Sequence, residues 1–405
     1  MKVILYILTI FSILFISGCS DCHKNSSKII IKFSSWGSRT EYNILKNVIS
    51  DYEKINPSVK IEFIHVPENY FRKLHLLYAS KTAPDVVFIN NTYAPLYIKS
   101  GLLEDLSSII DKKVFYKSSL DCFSYNDKIY AIPRDISNLV IYVNKNIVKN
   151  SDQIKTIEDL RLYAKRHTNK KHFGLNYESN PVFWLYYLEY FNGGILSDDG
   201  NNIIINKPES IKGLKLYTDM INKDKSIPHN WELSSMTSAQ LFINEKTAMY
   251  LSGRWLVPIF RQKLKFDWDV IPFPSTKQSK TLTDASGWAL SKSSKNKQEA
   301  IDFILYLSSQ KVSEKFTETG LITPARIDVA SSNIFLDTTK KPKNAKVFID
   351  ILKQSKPTPV NSNYAKITDD VTNAIIPILN GNKSINDNLS DDFINKIQKY
   401  CDKSL

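Results

Sequence analysis

Four tryptophans, Trp36, Trp184, Trp255 and Trp288, stand near places where apolar runs break into turns. Side chains able to fork hydrogen bonds sit at comparable places: Asn90 and Asn91 after an apolar run, Asp135 just after Pro133, and Arg254 beside Trp255. An indole offers a flat apolar face, and Asn, Asp and Arg donate to or accept from hydroxyls around it. Such a set suits the surface of a sugar, which is a patch of C–H groups ringed by hydroxyls. The same rings could equally fill a core, and Trp231 and Trp268 are read as core or surface.

Bond-breaking chemistry has no comparable support. The chain contains no GxSxG elbow, HExxH, Walker loop or GxGxxG after a strand. Its six histidines, His23, His65, His75, His167, His172 and His229, show no metal-ligand spacing with acidic neighbours. The doublets Asp198-Asp199, Asp369-Asp370 and Asp391-Asp392 fall in polar turns or at helix starts, where capping accounts for them. The turn at Asp198 to Asn201 lacks the alternating acids and distal Glu of a calcium loop. No catalytic residue, metal or cofactor is expected.

The elements that must position these side chains alternate between strand and helix. Lys28 to Ser34 reads as a buried strand, Glu41 to Ile55 as a helix with Thr40 as N-cap, and Val59 to Val66 as a second strand. A helix over Tyr70 to Ser80 and a third strand over Asp85 to Ile89 follow. This alternation predicts a parallel sheet with helices on both faces, and ligands of such sheets bind at the carboxyl ends of the strands, here Trp36, Pro67-Glu68 and Asn90-Asn91. Helices are expected over Thr156 to Lys165, Val182 to Phe191 and Ser210 to Asn222, with a short strand at Asn202 to Ile205. Late in the chain, Gly287 to Leu290 is β-like. A helix carrying Ala300, Ile301, Phe303, Ile304 and Leu307 comes next, then a second helix that should stop at Gly320, with Pro324 beyond. A strand, a helix pair and a rigid turn so near the end suggest a chain returning to finish a domain begun early. The expected fold class is therefore α/β with two lobes, each a mainly parallel sheet flanked by helices, joined by a multi-strand hinge.

With 405 residues the chain suits two domains, and 42% hydrophobic with 23% charged residues describes a folded, water-facing protein. The net charge of +13 is spread over scattered lysines without a basic block, which argues against nucleic acid as a partner. Lys2, the apolar run Val3 to Ile16 and then Ser17-Gly18-Cys19 have the layout of a secretory signal, too short to span a bilayer. Ile16 to Cys19 resembles a bacterial lipobox, which makes Cys19 the expected lipid-carrying N-terminus and Ser20 to Lys28 a tether. Cys22, Cys122 and Cys401 then remain, with no CxxC spacing, and a pairing of Cys122 with Cys401 stays open.

Ala83-Pro84-Asp85-Val86-Val87, Gly101 to Leu106, Asp127 to Pro133 and Ile141 to Lys145 resemble, in order and spacing, the family 1 extracellular solute-binding proteins of bacterial ABC importers. Ala248-Met249, Gly287-Trp288-Ala289, Glu299 to Leu307, Gly320 to Arg326 and Pro357 to Gly381 extend the likeness to nearly everything from Lys28 to Lys399, although Glu245 stands where that family often has Gly. The resemblance implies a lipid-anchored monomer on the outer side of the cytoplasmic membrane. It would capture a mono- or oligosaccharide by cleft closure and hand it to ABC permease transmembrane subunits. It adds Gly287, Arg326 and Tyr364 to the candidate ligand-binding residues, Arg326 also as a hinge-turn anchor. Residues 1–18 would be the signal peptide and 19–28 the tether. One lobe would comprise 29–135 and 290–330, the other 139–286 and 335–405, with hinges near Arg134 to Leu139, Ala285 to Leu290 and Ile327 to Phe335. Two alternatives stay open: a binder of a polyamine, polyol phosphate or peptide, and a secreted polysaccharide-cleaving enzyme.

Overall fold

The computed structural model describes residues 28–233 and 235–402, so the expected export segment and Cys19 lie outside the described residues. Strand β1 (Ile29–Ser35) turns Ile31 and Phe33 into the interior, where both are fully buried. It pairs in parallel with β2 (Val59–His65) and with β3 (Val86–Asn90). Residues Val86 to Ile89 of β3 are all buried, as a strand covered on both faces must be. The Arg39–Ile55 helix lays Leu45, Val48, Ile49 and Tyr52 against this core. Its N-cap is Ser38 and not Thr40. Ser38 accepts from the Glu41 N–H while Glu41 accepts from the Ser38 N–H, and that reciprocal capping box pulls the helix start forward.

A hairpin of β4 (Ser124–Tyr125) and β5 (Lys128–Ile129) precedes β6 (Ile132–Ser137), after which the chain enters a second body through β7 (Val140–Asn144). Ile136 belongs to the first hydrophobic core and Leu139 to the second. The second sheet runs β10 (Trp268–Pro272), β7, β9 (Thr247–Ser252), β8 (Phe173–Asn176). Helices Ile157–Arg166, Pro181–Tyr190, Pro208–Asn222 and Tyr364–Leu379 contribute to its core, the first opening on a Thr156/Asp159 capping box. The run from Asn202 to Ile205 makes only an isolated bridge, Leu196 to Ile203, and no strand.

Strand β11 (Thr281–Leu290) carries the chain back: Leu282 lies in the second core, Ala285 and Trp288 to Leu290 in the first. Helices Lys297–Leu307 and Gln310–Glu318 then complete the first lobe, and Gly320, at φ 84°, ends the second of them in a conformation that favours glycine. Strand β12 (Thr323–Pro324) edges β6, and the chain passes over again, with Ala325 in the first core and Phe335 in a cluster under β7, β9 and β10. Strand β13 (Ser355–Pro357) pairs with the start of β11.

The molecule is two-lobed and α/β as expected, but strand direction is more mixed than the strand–helix alternation implies. Parallel pairing joins β2, β1 and β3, and also β8 to β9 and β13 to β11. By contrast β11 runs against β3 and β6, β12 against β6, and β7 against β9 and β10. The physical reason in the first lobe is that β6 and β11 each connect the two cores, and they do so in opposite directions. At Glu245 the turn into β9 takes φ 56°, left-handed backbone that favours glycine, so the departure there leaves the turn intact at a local cost. Cys122 and Cys401 are thiols buried in different cores.

Candidate functional site

Between the lobes lies a cavity of about 190 Å³. The first lobe lines it with Trp36 beyond β1, Glu41, the β6 residues Arg134 to Ser137, Ser286 of β11 and Leu321 to Thr323; the second lobe adds Arg254 and Trp255. Trp36, half-buried, meets Phe71 at 5.2 Å, Phe88 at 5.4 Å and Tyr70 at 5.9 Å between ring centroids, all edge-on, so three rings hold its orientation. Trp255 is 41% exposed and rests on Gly253, where an added Cβ would fall 1.8 Å from the indole. Gly253→Ala is therefore expected to push the ring from its seat, seen as a shifted tryptophan emission with little change in melting temperature.

Arg134 is enclosed at the back of the cavity. Its Nε donates to Asp135 Oδ2 at 2.6 Å and its Nη1 to Glu41 Oε1 at 3.0 Å, while the guanidinium lies 4.4 Å from the Phe88 ring centre and 5.1 Å from that of Phe316. Glu41 Oε2 accepts from the Ser38 N–H at 2.9 Å, and the Asp135 carboxyl accepts from the Ser286 N–H. Burial raises the Asp135 carboxyl above the usual carboxylate range against the attraction of Arg134. Arg254 differs. It is 3% exposed, its guanidinium sits 4.3 Å from the Phe335 ring centre and 5.3 Å from that of Phe348, and its Nε and Nη1 have no hydrogen-bond partner. Burial pulls its pKa down to about 9, and Arg261 adds to the shift.

Of the residues singled out from sequence, Trp36, Asp135, Arg254 and Trp255 meet at this cavity. Asn91 instead clamps β3 to β11, donating to Asp284 Oδ1 at 2.8 Å and accepting from the Ala285 N–H at 3.2 Å. Asn90 accepts from the Tyr93 N–H and shapes the turn after β3. Trp184 and Trp288 are fully buried, and Tyr364 is buried in the second core. Gly287 follows a register shift in β11, where an added Cβ would lie 2.4 Å from the Ile132 carbonyl oxygen; its role there is close strand approach. Arg326 pairs with Asp328 at 2.6 Å and donates to the Ser308 carbonyl, which anchors the turn before the third passage. Glu41 and Arg134 were not singled out, although Ser38 and Glu41 have capping-box spacing. Nothing local signals their ion pair across 93 residues.

A larger groove, about 490 Å³, lies around β13 and the turn after β3. Asn91, Lys99, Asp198, Lys280 and Lys356 line it, but no indole does, and Lys356 is paired with Glu189 at 2.9 Å and Asp198 at 2.6 Å. The two indoles and the Arg254 guanidinium, which makes no ion pair among the described residues, line the smaller cavity and not this groove.

Residues 47–346 match the family of bacterial extracellular solute-binding proteins, and the chain belongs to that family. It is 23% identical over 361 residues to a galactooligosaccharide-binding protein of Bacillus subtilis (strain 168), spanning 85% of this chain and 84% of that one. It is 27% identical over 278 residues to a maltooligosaccharide ABC transporter solute-binding lipoprotein of Streptococcus pneumoniae, 64% of this chain and 62% of the other. Among solved structures, an ABC substrate-binding protein of Listeria monocytogenes in complex with cycloalternan superposes with a TM-score of 0.82 at 25% identity, over 93% of this chain and 98% of that one. The maltotriose-binding protein of Thermus thermophilus gives a TM-score of 0.75 at 20% identity, over 92% and 100%, which speaks for the fold.

Proposed function

We propose that this solute-binding protein captures a saccharide in the cavity between its lobes and, on closing, presents it to an ABC permease. The observation that carries this reading is Trp255 of one lobe and Trp36 of the other facing a single cavity beside Asp135 and Arg254. A sugar stacked on one wall gains contacts to the other only when the lobes approach, which shifts an open–closed equilibrium. The oligosaccharide-binding relatives favour a sugar as the solute. Both carboxylates at the cavity are engaged by Arg134 and by backbone N–H groups, so neither is placed to protonate or attack a glycosidic bond. We further propose residues 29–135 with 290–330 as one lobe, 139–286 with 335–405 as the other, and a lipid on Cys19 as the tether to the outer face of the cytoplasmic membrane.

Titrating the purified protein with galacto- and malto-oligosaccharides, read by calorimetry and tryptophan fluorescence, tests the reading. Saturable binding is expected. Trp255→Ala should weaken it by about 1 kcal/mol or more, roughly fivefold in Kd, the worth of one aromatic stack. No response to any saccharide would sink the proposal.

A further inference from the structure

The charged groups around the cavity are unequally satisfied. Arg134 is held by Glu41 and Asp135, and those carboxylates accept further bonds from the backbone of Ser38 and Ser286. Arg254 is 97% buried, has no acceptor on Nε or Nη1, and forms no ion pair among the described residues. The other charged side chain that perturbs it is a second cation, Arg261, whose Nε is taken by the Lys341 carbonyl. The Phe335 and Phe348 rings offset part of the cost of burying this charge, but a ring face cannot accept N–H bonds in the guanidinium plane. A buried guanidinium without a carboxylate is costly, and it persists in an otherwise well-paired site where something else supplies the counter-charge.

We propose that Arg254 receives an anionic group, carboxylate or phosphate, carried by the saccharide, so that the cavity selects acidic sugars over neutral ones. The inference rests on the saccharide reading above and narrows it. A neutral hydroxyl could accept from the guanidinium where it meets the cavity but would leave the charge uncompensated, whereas an anion does both. Arg254 and Trp255 are consecutive in the turn after β9 and both line the cavity, so a pyranose stacked on the indole shares that cavity with the arginine. The carboxylates opposite do not oppose this strongly: Arg134 neutralises one charge, and both carboxylates are already taken up by Arg134 and by backbone N–H groups.

The test is calorimetry on the purified full chain with matched pairs: galactobiose against digalacturonate, and maltose against its 6′-phosphate, with inorganic phosphate alone as a third arm. The carboxylate and phosphate arms separate the two sources of charge. At least one acidic member is expected to bind tenfold or more tightly than its neutral counterpart. Arg254→Gln should bring that ratio close to one, and Arg254→Lys should keep part of it. Melting curves check folding, and Arg254→Gln is expected to melt no lower than the parent, since an unpaired buried charge has been removed. Equal affinity for neutral and acidic members, or a ratio unchanged in Arg254→Gln, overturns the inference and leaves the saccharide reading standing. Binding of inorganic phosphate as tight as that of any sugar overturns it in favour of a free-anion site. Failure of every saccharide, neutral and acidic, overturns both.

Discussion

Arg134→Met is expected to destabilise the protein by roughly 3–5 kcal/mol, the cost of stranding buried charges once their partner is gone. The Glu41 and Asp135 side chains are 10% and 5% exposed, and the guanidinium that joins them is 7% exposed, so little water reaches the carboxylates to take its place. The measurement is a urea midpoint at pH 7. Adding Glu41→Gln and Asp135→Asn should recover most of the loss, because uncharged groups of the same shape need no counter-ion. The pH dependence has a definite sign. Burial already raises the Asp135 carboxyl, and without Arg134 the attraction that opposes this rise is gone. The deficit would then be smallest below the unfolded value of that carboxyl and would grow as pH rises through the folded one. A deficit that does not change between pH 4 and pH 8 would count against buried carboxylates as its origin.

The β1–β2–β3 progression was legible because each strand is a short apolar run and the first two are each followed by a helical pattern, and those patterns are local. Gly320 was legible for the same reason: a helix stop followed by Pro324 admits few backbones. Strand direction in the rest of the sheets was not: hinges were expected near Arg134 to Leu139 and Ala285 to Leu290, but nothing in either run says which strands it pairs with or in which direction. At the site, Arg254 beside Trp255 could be singled out because a charged and an aromatic residue follow a buried strand directly. The Glu41–Arg134–Asp135 group could not, because it depends on a helix start and a crossing strand that meet only in space. The tryptophans show the limit most clearly. Trp36, Trp184, Trp255 and Trp288 look alike in sequence, each near a turn, yet their exposure ranges from 41% at Trp255 to none at Trp184 and Trp288. What separates them is which face of an element the rest of the chain happens to cover.

Trp288→Ala should therefore behave as a core truncation, costing about 3–5 kcal/mol through lost burial and the cavity left behind. Trp288 lies between Phe88 at 5.1 Å and Phe33 at 5.5 Å, the latter in the central strand of the parallel group, and the Arg134 guanidinium sits 5.6 Å above the indole. Removing the ring would loosen the seat of Arg134 as well, so the double variant with Arg134→Met should cost less than the two single losses combined. Trp288→Phe is expected to be much milder, since it keeps an aromatic filler and deletes an indole N–H that is buried without a hydrogen-bond partner. Denaturation midpoints of the three variants, set beside ligand affinity measured on whatever fraction remains folded, decide the matter. A Trp288→Ala protein as stable as the parent but unable to bind would mean that the indole faces the ligand in the closed form, and that the ring enclosed here belongs to the open one.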